Sequence, residues 1–211
     1  MRNLELNVNG EIKKYCIDKN LEGIKLEEIA RDIEESSYGI ITLGIIKNKL
    51  RELSHVVKED CSIKFLDTTD LDGYRVYARV LNFIFMMACD DLFKDVRVTV
   101  EHSLSGGLYC EVHIDRDLNE EDIKNIKCKM KEIIKNNYKI EKISTTRAEA
   151  ISIFKEHKMI EKAELLRYKE YNDVKIYKCN NYIDHFYGYM LPSTGYIKTF
   201  DLKLYKNGVI L

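Results

Sequence analysis

The sequence predicts an α+β protein with two domains, and three observations carry that prediction. Apolar and polar residues alternate near the start of the chain, which is typical of strands, and apolar residues at helical spacing follow them. The chain has 211 residues, of which 45% are hydrophobic, so it has enough apolar mass for one large domain or two small ones. A polar, turn-rich segment at 67–73 (DTTDLDG) is the best candidate for the linker between them.

The first 66 residues have the order strand, strand, helix, strand, strand. Asn9-Gly10, a dipeptide typical of tight hairpin turns, separates the first two strands. This order favours a small β-grasp (ubiquitin-like) fold over a generic α+β subdomain. The predicted strands lie at 4–8, 11–17, 40–46 and 62–66, and the helix lies at 26–33.

The rest of the chain, 74–211, is predicted to mix helices with hairpins. An almost wholly apolar helix opens it, and such a helix is buried on most sides. Asn119 before three acidic residues, and Thr146 three residues before Glu149, are helix-start signatures. The first helix is expected at 74–93, and strands are expected at 97–104, 108–114, 174–179 and 196–205, with a hairpin turn at 105–107.

Composition excludes several classes of protein. The 34 Lys and Arg nearly cancel the 35 Asp and Glu, so a whole-surface nucleic-acid binder is not expected, although a local basic patch remains open. The chain lacks both an 18-residue apolar run and the apolar core of a signal peptide, so no membrane partner is expected and the protein is expected to be cytoplasmic. Six cysteines without a CxxC pair indicate reduced thiols rather than a zinc ribbon.

Few segments of the sequence match a known catalytic motif. Gly39 and Gly44 have the spacing of a P-loop, but two isoleucines follow where Lys and Ser or Thr would hold phosphate and Mg²⁺. The five histidines form no HxxxH pair, and no metal site or catalytic group is expected in this chain. His102 and Ser103 lie at a hairpin end, where either a functional site or an ordinary polar tip is found.

Residues 1–66 resemble a TGS domain, the β-grasp module of threonyl-tRNA synthetases, some GTPases and stringent-response enzymes. Residues 74–211 resemble the second domain of threonyl-tRNA synthetase, which in that family carries the editing site. The resemblance implies an editing-type α/β fold for this second domain. The segments that carry it are Asn9-Gly10, LEEIARDI at 26–33, IIKNKLRELSHVVKEDCSIKFLD at 45–67, ARVLNFIFMMA at 78–88, SGGLYCEVHIDRDLNEEDI at 105–123 and YIDHFYGYMLPSTG at 182–195.

The departures from that family concern its chemistry. The editing family uses HxxxH on the helix and CxxxH in the later segment. The matching positions here are Arg79, Phe83, Phe186 and Met190, while Asp184 is kept. These replacements cannot order a metal or a water as His and Cys do, so deacylation of mischarged tRNA by that route is not expected.

The chain also resembles the N-terminal region of bacterial uridine kinase-like (nucleoside kinase) proteins. GYRVYARVLNFI at 73–84, VEHSLSGGLYCEV at 100–112 and STGYIKTFDLKLYKNGVIL at 193–211 carry that resemblance. It implies a P-loop kinase domain beyond Leu211 that would use ATP and Mg²⁺ to phosphorylate a nucleoside. This chain would then be a non-catalytic regulatory or ligand-binding region that needs no cofactor of its own.

Two other functions remain open: a free-standing aminoacyl-tRNA hydrolase with altered ligands, and a tRNA- or RNA-binding module. The expected ligand is a nucleotide, an amino acid or RNA, held in the cleft that the resemblance places at the editing site. Arg79 would pair with Asp184 or hold an anion there, unless it is structural and Phe83, Phe186 and Met190 fill the cleft. The candidate contacts are Arg79, His102, Ser103, Tyr109, Asp184 and Tyr187.

Overall fold

In the computed structural model the chain folds into two compact units, and the structure describes residues 2–18, 20–104, 106–157, 159–168 and 172–211. Unit 1 comprises Met1–Asn137 together with Tyr189–Leu211. Unit 2 comprises Tyr138–Gly188. The architecture is mixed α/β, as the sequence predicted, with helices and separate sheets in both units.

The first sheet of unit 1 has five strands in the order β2-β1-β7-β4-β5. β1 runs parallel to β7, and the other neighbours are antiparallel. Helix α1 (Leu26–Arg31) contributes Leu26 and Ile29 to the core, both fully buried. The strands of this part of the chain are β1 (Arg2–Val8), β2 (Glu11–Ile17), β3 (Ile24–Lys25), β4 (Ile41–Ile46), β5 (Lys49–Glu52), β6 (Val56–Val57) and β7 (Cys61–Asp67), of which β3 and β6 pair separately.

Two hairpins in this sheet differ in how well the sequence predicts them. Asn9 and Gly10 take positive φ values of 51° and 99°, as a tight turn requires, which confirms the predicted β1-β2 hairpin. Strand β5 was not predicted. Its turn, Lys47-Asn48, also takes positive φ at both residues. Lysine is not among the residues typical of such turns, so the sequence does not indicate this hairpin.

Helix α2 (Leu71–Leu92) begins three residues before the predicted start, so the predicted linker at 67–73 contains the end of β7 and the first turn of a helix. Gly73 allows the first turn of α2 to approach the backbone of Asp67 closely. A Cβ atom at this position would lie 1.8 Å from the carbonyl oxygen of Asp67. Phe83, Ile84 and Phe85 are fully buried, as predicted for an apolar helix.

The remainder of unit 1 packs helix α3 (Glu120–Asn136) with a second sheet. Asn119 accepts hydrogen bonds from the amides of Glu121 and Asp122, and Asp122 accepts one from the amide of Asn119, which confirms the predicted helix start. Ser105 of the predicted hairpin turn lies outside the described residues. The sheet has the order β13-β14-β9-β8, formed by β8 (Arg97–Leu104), β9 (Gly107–His113), β13 (Lys203–Tyr205) and β14 (Gly208–Ile210).

The strand predicted at 196–205 is wrong except for its last three residues. A 3-10 turn occupies Thr194–Tyr196, and an irregular segment follows until β13. The hydroxyl of Tyr77 explains this path. It accepts hydrogen bonds from the amides of Lys198 and Thr199, each at 3.0 Å, and donates to the carbonyl of Thr199 at 2.8 Å. A side chain therefore satisfies backbone groups that a strand would give to a neighbour.

Unit 2 packs two helices on a three-stranded antiparallel sheet of order β10-β11-β12. Thr146 and Glu149 form the predicted capping box at the start of α4. The core consists of Ala150, Phe154, Ala163, Leu166, Val174, Ile176 and Ile183. Its elements are β10 (Glu141–Thr146), α4 (Arg147–Glu156), α5 (Ile160–Arg167), β11 (Asp173–Cys179) and β12 (Tyr182–Asp184).

All six cysteines are free thiols. Burial raises the pKa of Cys110 to about 12 and that of Cys179 to about 11, so both stay protonated at neutral pH. No helix among the described residues is long and apolar enough to cross a membrane.

Candidate functional site

Arg79 and Phe83 lie one turn apart on α2, and the resemblance matches them to the two helix histidines of the editing family. Phe83 is fully buried. Arg79 is half-buried, and its guanidinium donates a 2.7 Å hydrogen bond to the carbonyl oxygen of Tyr189, also in unit 1. Phe83 therefore packs in the core, and Arg79 binds the backbone at Tyr189, where the chain returns to unit 1.

Met190, the position of the later histidine, is also part of unit 1. Its side chain is buried, and its amide donates a 3.0 Å hydrogen bond to the carboxylate of Glu52 at the end of β5. Glu52 itself is buried, so this bond satisfies a carboxylate that is largely removed from water. In unit 1 the positions that the resemblance matches to editing ligands therefore carry a thioether, a phenyl ring and a guanidinium, which do not form a metal or water site of the editing type.

Asp184 in unit 2 is held by a dense set of hydrogen bonds. Its side chain is 1% exposed, and both carboxylate oxygens lie 2.6 Å from Lys162 Nζ on α5. The hydroxyl of Tyr182 donates to the same carboxylate at 3.1 Å, and the amide of His185 donates at 2.6 Å. Each oxygen is satisfied by donors of this unit, so Asp184 acts as a structural anion in this arrangement.

The imidazole of His185 lies next to Asp184, and one of its two nitrogens is bonded to the backbone. Its Nδ1 lies 2.6 Å from the carbonyl oxygen of Lys175, which only accepts hydrogen bonds, so Nδ1 carries the proton. Nε2 is then the lone-pair nitrogen, and it is buried without a hydrogen-bond partner among the described residues. The ring packs edge-on against Tyr187 at 4.6 Å between centroids. Sequence reasoning selected Tyr187 but missed His185 and Lys162.

Tyr187 and Phe186 follow β12 at the end of unit 2. The side chain of Tyr187 is 60% exposed, whereas Phe186 is half-buried. An exposed aromatic ring beside an imidazole is a surface on which a planar group can stack. The resemblance matches Phe186 to the cysteine of the editing family, and a phenyl ring supplies no nucleophile or metal ligand.

The β8-β9 hairpin brings together two of the predicted contacts. The rings of His102 and Tyr109 lie 5.3 Å apart, and Tyr109 also meets Tyr205 edge-on at 5.7 Å. Tyr109 is buried and donates to Glu111 at 3.2 Å, and burial raises its pKa. Ser103 is exposed and pairs with Leu108 in the ladder.

The six predicted contact residues are divided between the units. Arg79, His102, Ser103 and Tyr109 belong to unit 1, while Asp184 and Tyr187 belong to unit 2. Lys162 is the cation seen at Asp184, so the predicted pair of Asp184 with Arg79 stays a prediction. Within the described part of the chain, no three His, Cys, Asp or Glu side chains are grouped so that they could hold a metal ion.

Comparison with known proteins places the chain among sequences related to tRNA synthetases. No family model matches it. It is 31% identical over 181 residues (85% of the chain) to the threonine–tRNA ligase of Caldanaerobacter subterraneus subsp. tengcongensis. Over 92% of the chain it is 28% identical to that of Acetivibrio thermocellus and 26% identical to that of Clostridioides difficile.

These similarities confirm the predicted resemblance to threonyl-tRNA synthetases. The aligned region makes up 28% to 30% of each of these three relatives, so the chain spans less than a third of their length. All three are named as tRNA ligases, and they lend no support to the expected resemblance to uridine kinase-like proteins.

Proposed function

We propose that this chain is a tRNA-binding region related to threonyl-tRNA synthetase that binds the acceptor end of tRNA without hydrolysing its ester. The observation that carries the proposal is the fate of the four editing positions. Phe83 and Met190 are buried, and Arg79 is bonded to a backbone carbonyl. The similarity to threonine–tRNA ligases over 85% to 92% of the chain supports tRNA as the ligand.

Ester hydrolysis needs a group that activates water, either a metal or a general base with a free lone pair. Asp184 does not offer one, because Lys162, Tyr182 and the amide of His185 occupy its oxygens. His185 Nε2 keeps a lone pair, but it is buried, so it does not reach a water molecule at the surface of the unit. The supported role of this segment is therefore binding.

Tyr187 is the residue best suited to contact a terminal base. Nucleobases with free faces stack on exposed aromatic rings, and each such contact is worth about 1–3 kcal/mol. Tyr187 is 60% exposed and is braced by the ring of His185. Tyr168 at the end of α5 is 84% exposed and belongs to the same unit, so it serves as a matched control.

The test is fluorescence anisotropy at several salt concentrations with threonine tRNA that is labelled in its anticodon arm, away from the acceptor end. We expect binding at low ionic strength that weakens as salt rises, because phosphate contacts release counterions. Tyr187→Ala should weaken binding by roughly 5-fold or more, whereas Tyr168→Ala should leave it unchanged.

A second assay follows the ester bond of mischarged threonine tRNA in the presence of the protein. The proposal requires a hydrolysis rate equal to that without protein. Turnover would instead support the free-standing hydrolase, and absence of tRNA binding at every salt concentration would reject an RNA-binding role.

The narrower alternative is the non-catalytic region of a uridine kinase-like protein. The loss of all four editing ligands and the segments at 73–84 and 193–211 favour it. It predicts nucleoside or nucleotide binding that tRNA does not displace. Titration with uridine followed by tRNA competition separates it from the main proposal.

A further inference from the structure

A cavity of about 480 Å³ opens at one end of the first sheet of unit 1. Its size is that of sites that take small organic ligands. The walls combine apolar side chains with an unusual number of cations. The apolar part is formed by Ile46, Val56 and Val57, and the basic part by Lys47, Lys49, Arg51 and Lys58.

The cations of strand β5 project toward the side of the sheet that carries the core. Arg51 lies directly opposite Gly44 in the antiparallel pair, and opposite residues share a face. A Cβ atom on Gly44 would lie 2.9 Å from the Leu26 side chain, so this face looks toward helix α1. Lys49 shares the face by alternation and lies opposite Ile46, which is buried.

The guanidinium of Arg51 has one donor that lacks a partner in the described part of the chain. Its Nε is buried and has no hydrogen-bond partner among the described residues. Buried guanidinium nitrogens normally have a hydrogen-bond partner, because a buried donor without one loses its bonds to water and gains no bond within the protein. Arg51 lines the cavity, so an anion bound there would bring an acceptor close to a guanidinium that has a donor to spare.

The electrostatics of the cavity support an anion. The pKa of His55, another lining residue, is lowered first by burial and then by the charges of Arg51 and Lys58. Glu59 is the one acidic residue among those that line the cavity, and it pairs with Lys47 at 2.6 Å. Lys58 pairs with Glu22. Lys49 and Arg51 are the lining cations for which the described residues show no acidic partner.

We propose that this cavity binds a small phosphate ester, with the phosphate at Arg51 and Lys49 and an apolar or aromatic body against Val56 and Ile46. Several cations around one space match a dianionic phosphate better than a single carboxylate. The site goes beyond the proposed tRNA-binding role, which rests on other residues, so either can fail alone.

In the Lys47–Glu59 pair, the carboxylate of Glu59 competes with a bound phosphate for the ammonium group of Lys47. Both side chains are 71% exposed, and such surface pairs are weak and exchange readily. Removing the Glu59 charge leaves Lys47 free to join the phosphate. Glu59→Gln should therefore tighten ligand binding by several-fold.

Isothermal titration calorimetry with adenosine 5′-monophosphate as the probe tests the proposal. Adenosine and inorganic phosphate, titrated separately, show whether body and phosphate are both needed. We expect the monophosphate to bind more tightly than either part. Lys49→Gln and Arg51→Gln should each weaken it at least 10-fold, while Lys64→Gln, which removes an exposed cation from the other face of β7, should have no effect.

Several results would overturn the proposal. They are equal binding of adenosine and its monophosphate, equal losses in Lys64→Gln and Lys49→Gln, and displacement by tRNA with the same dependence on Lys49. Inward-pointing charges also protect edge strands from pairing with other chains. If that is their role, Lys49→Gln will self-associate in sedimentation without any change in binding. Circular dichroism checks the fold of Arg51→Gln, and the exposed Lys49 variant keeps the test decisive if Arg51→Gln does not fold.

Discussion

The two units differ at the positions that the resemblance matches to the editing site. In unit 1, Phe83 and Met190 are buried apolar side chains. In unit 2, Asp184 is a buried carboxylate paired with Lys162. The first arrangement needs no polar partner, whereas the second holds a buried charge and depends on its partner.

The comparison shows that a residue can match the family pattern without being free to perform the role that the pattern implies. Asp184 stands where the resemblance places a family residue, yet its oxygens are committed to Lys162, Tyr182 and a backbone amide. Phe83 departs fully from the family pattern and still keeps its place on a buried helix. The variants below measure how much the buried phenyl ring and the buried ion pair each contribute to the free energy of unfolding.

Phe83→Ala should have the largest effect. Truncating a fully buried phenyl ring leaves a cavity and costs about 3–5 kcal/mol of unfolding free energy. Urea unfolding followed by circular dichroism measures it. Leu71→Ala at the start of the same helix, where the side chain is 66% exposed, should change stability by about 0.5 kcal/mol or less. A small loss for Phe83→Ala would mean that α2 borders an open cleft.

Lys162→Met should cost somewhat less, about 2–3 kcal/mol, because it leaves the Asp184 carboxylate buried without its cation while Lys162 itself is 36% exposed. Lys155→Met on α4 is the exposed control. Adding Asp184→Asn to Lys162→Met should recover part of the loss, since no charge is then left unpaired. A double variant less stable than Lys162→Met would contradict the ionic account of unit 2.

Asp122 offers the mildest version of a buried carboxylate, now in unit 1. Its partner Arg116, at 2.6 and 2.8 Å, is 54% exposed and lowers the pKa of Asp122. A lowered pKa means that this stabilisation is present above about pH 4, the ordinary value for Asp, and is lost as the pH falls further.

Asp122→Asn should therefore cost about 1–2 kcal/mol at pH 7. The gap to wild type should shrink below about pH 4, as urea unfolding at pH 7, 5, 4 and 3 would show. A gap that stays constant with pH would assign the effect to packing instead of charge.

Local signals made much of this fold predictable. The Asn9-Gly10 turn, the Asn119 cap and the Thr146–Glu149 box each act over at most four residues, and all three form as expected. The strand expected at 196–205 failed because Tyr77, more than 100 residues away, supplies its hydrogen bonds. Periodicity contains no information about such distant partners.

The candidate site was less predictable than the fold. Sequence patterns pointed to Asp184 and Tyr187, but Lys162 lies 22 residues from Asp184 on a separate helix. The free nitrogen of His185 depends on a carbonyl of a neighbouring strand, that of Lys175. Both features arise from tertiary packing, so neither spacing nor composition could identify them.

The discontinuity of unit 1 has a consequence for synthesis on the ribosome. Unit 2 is one continuous stretch and has all its residues once Gly188 has emerged. Unit 1 needs β14, in which Val209 pairs with Cys110 of β9, to complete its second sheet. Chains fold as they emerge, and an unpaired strand edge invites misassociation. Unit 2 is thus fully synthesised before unit 1, and the β9 edge stays unpaired until β14 has emerged.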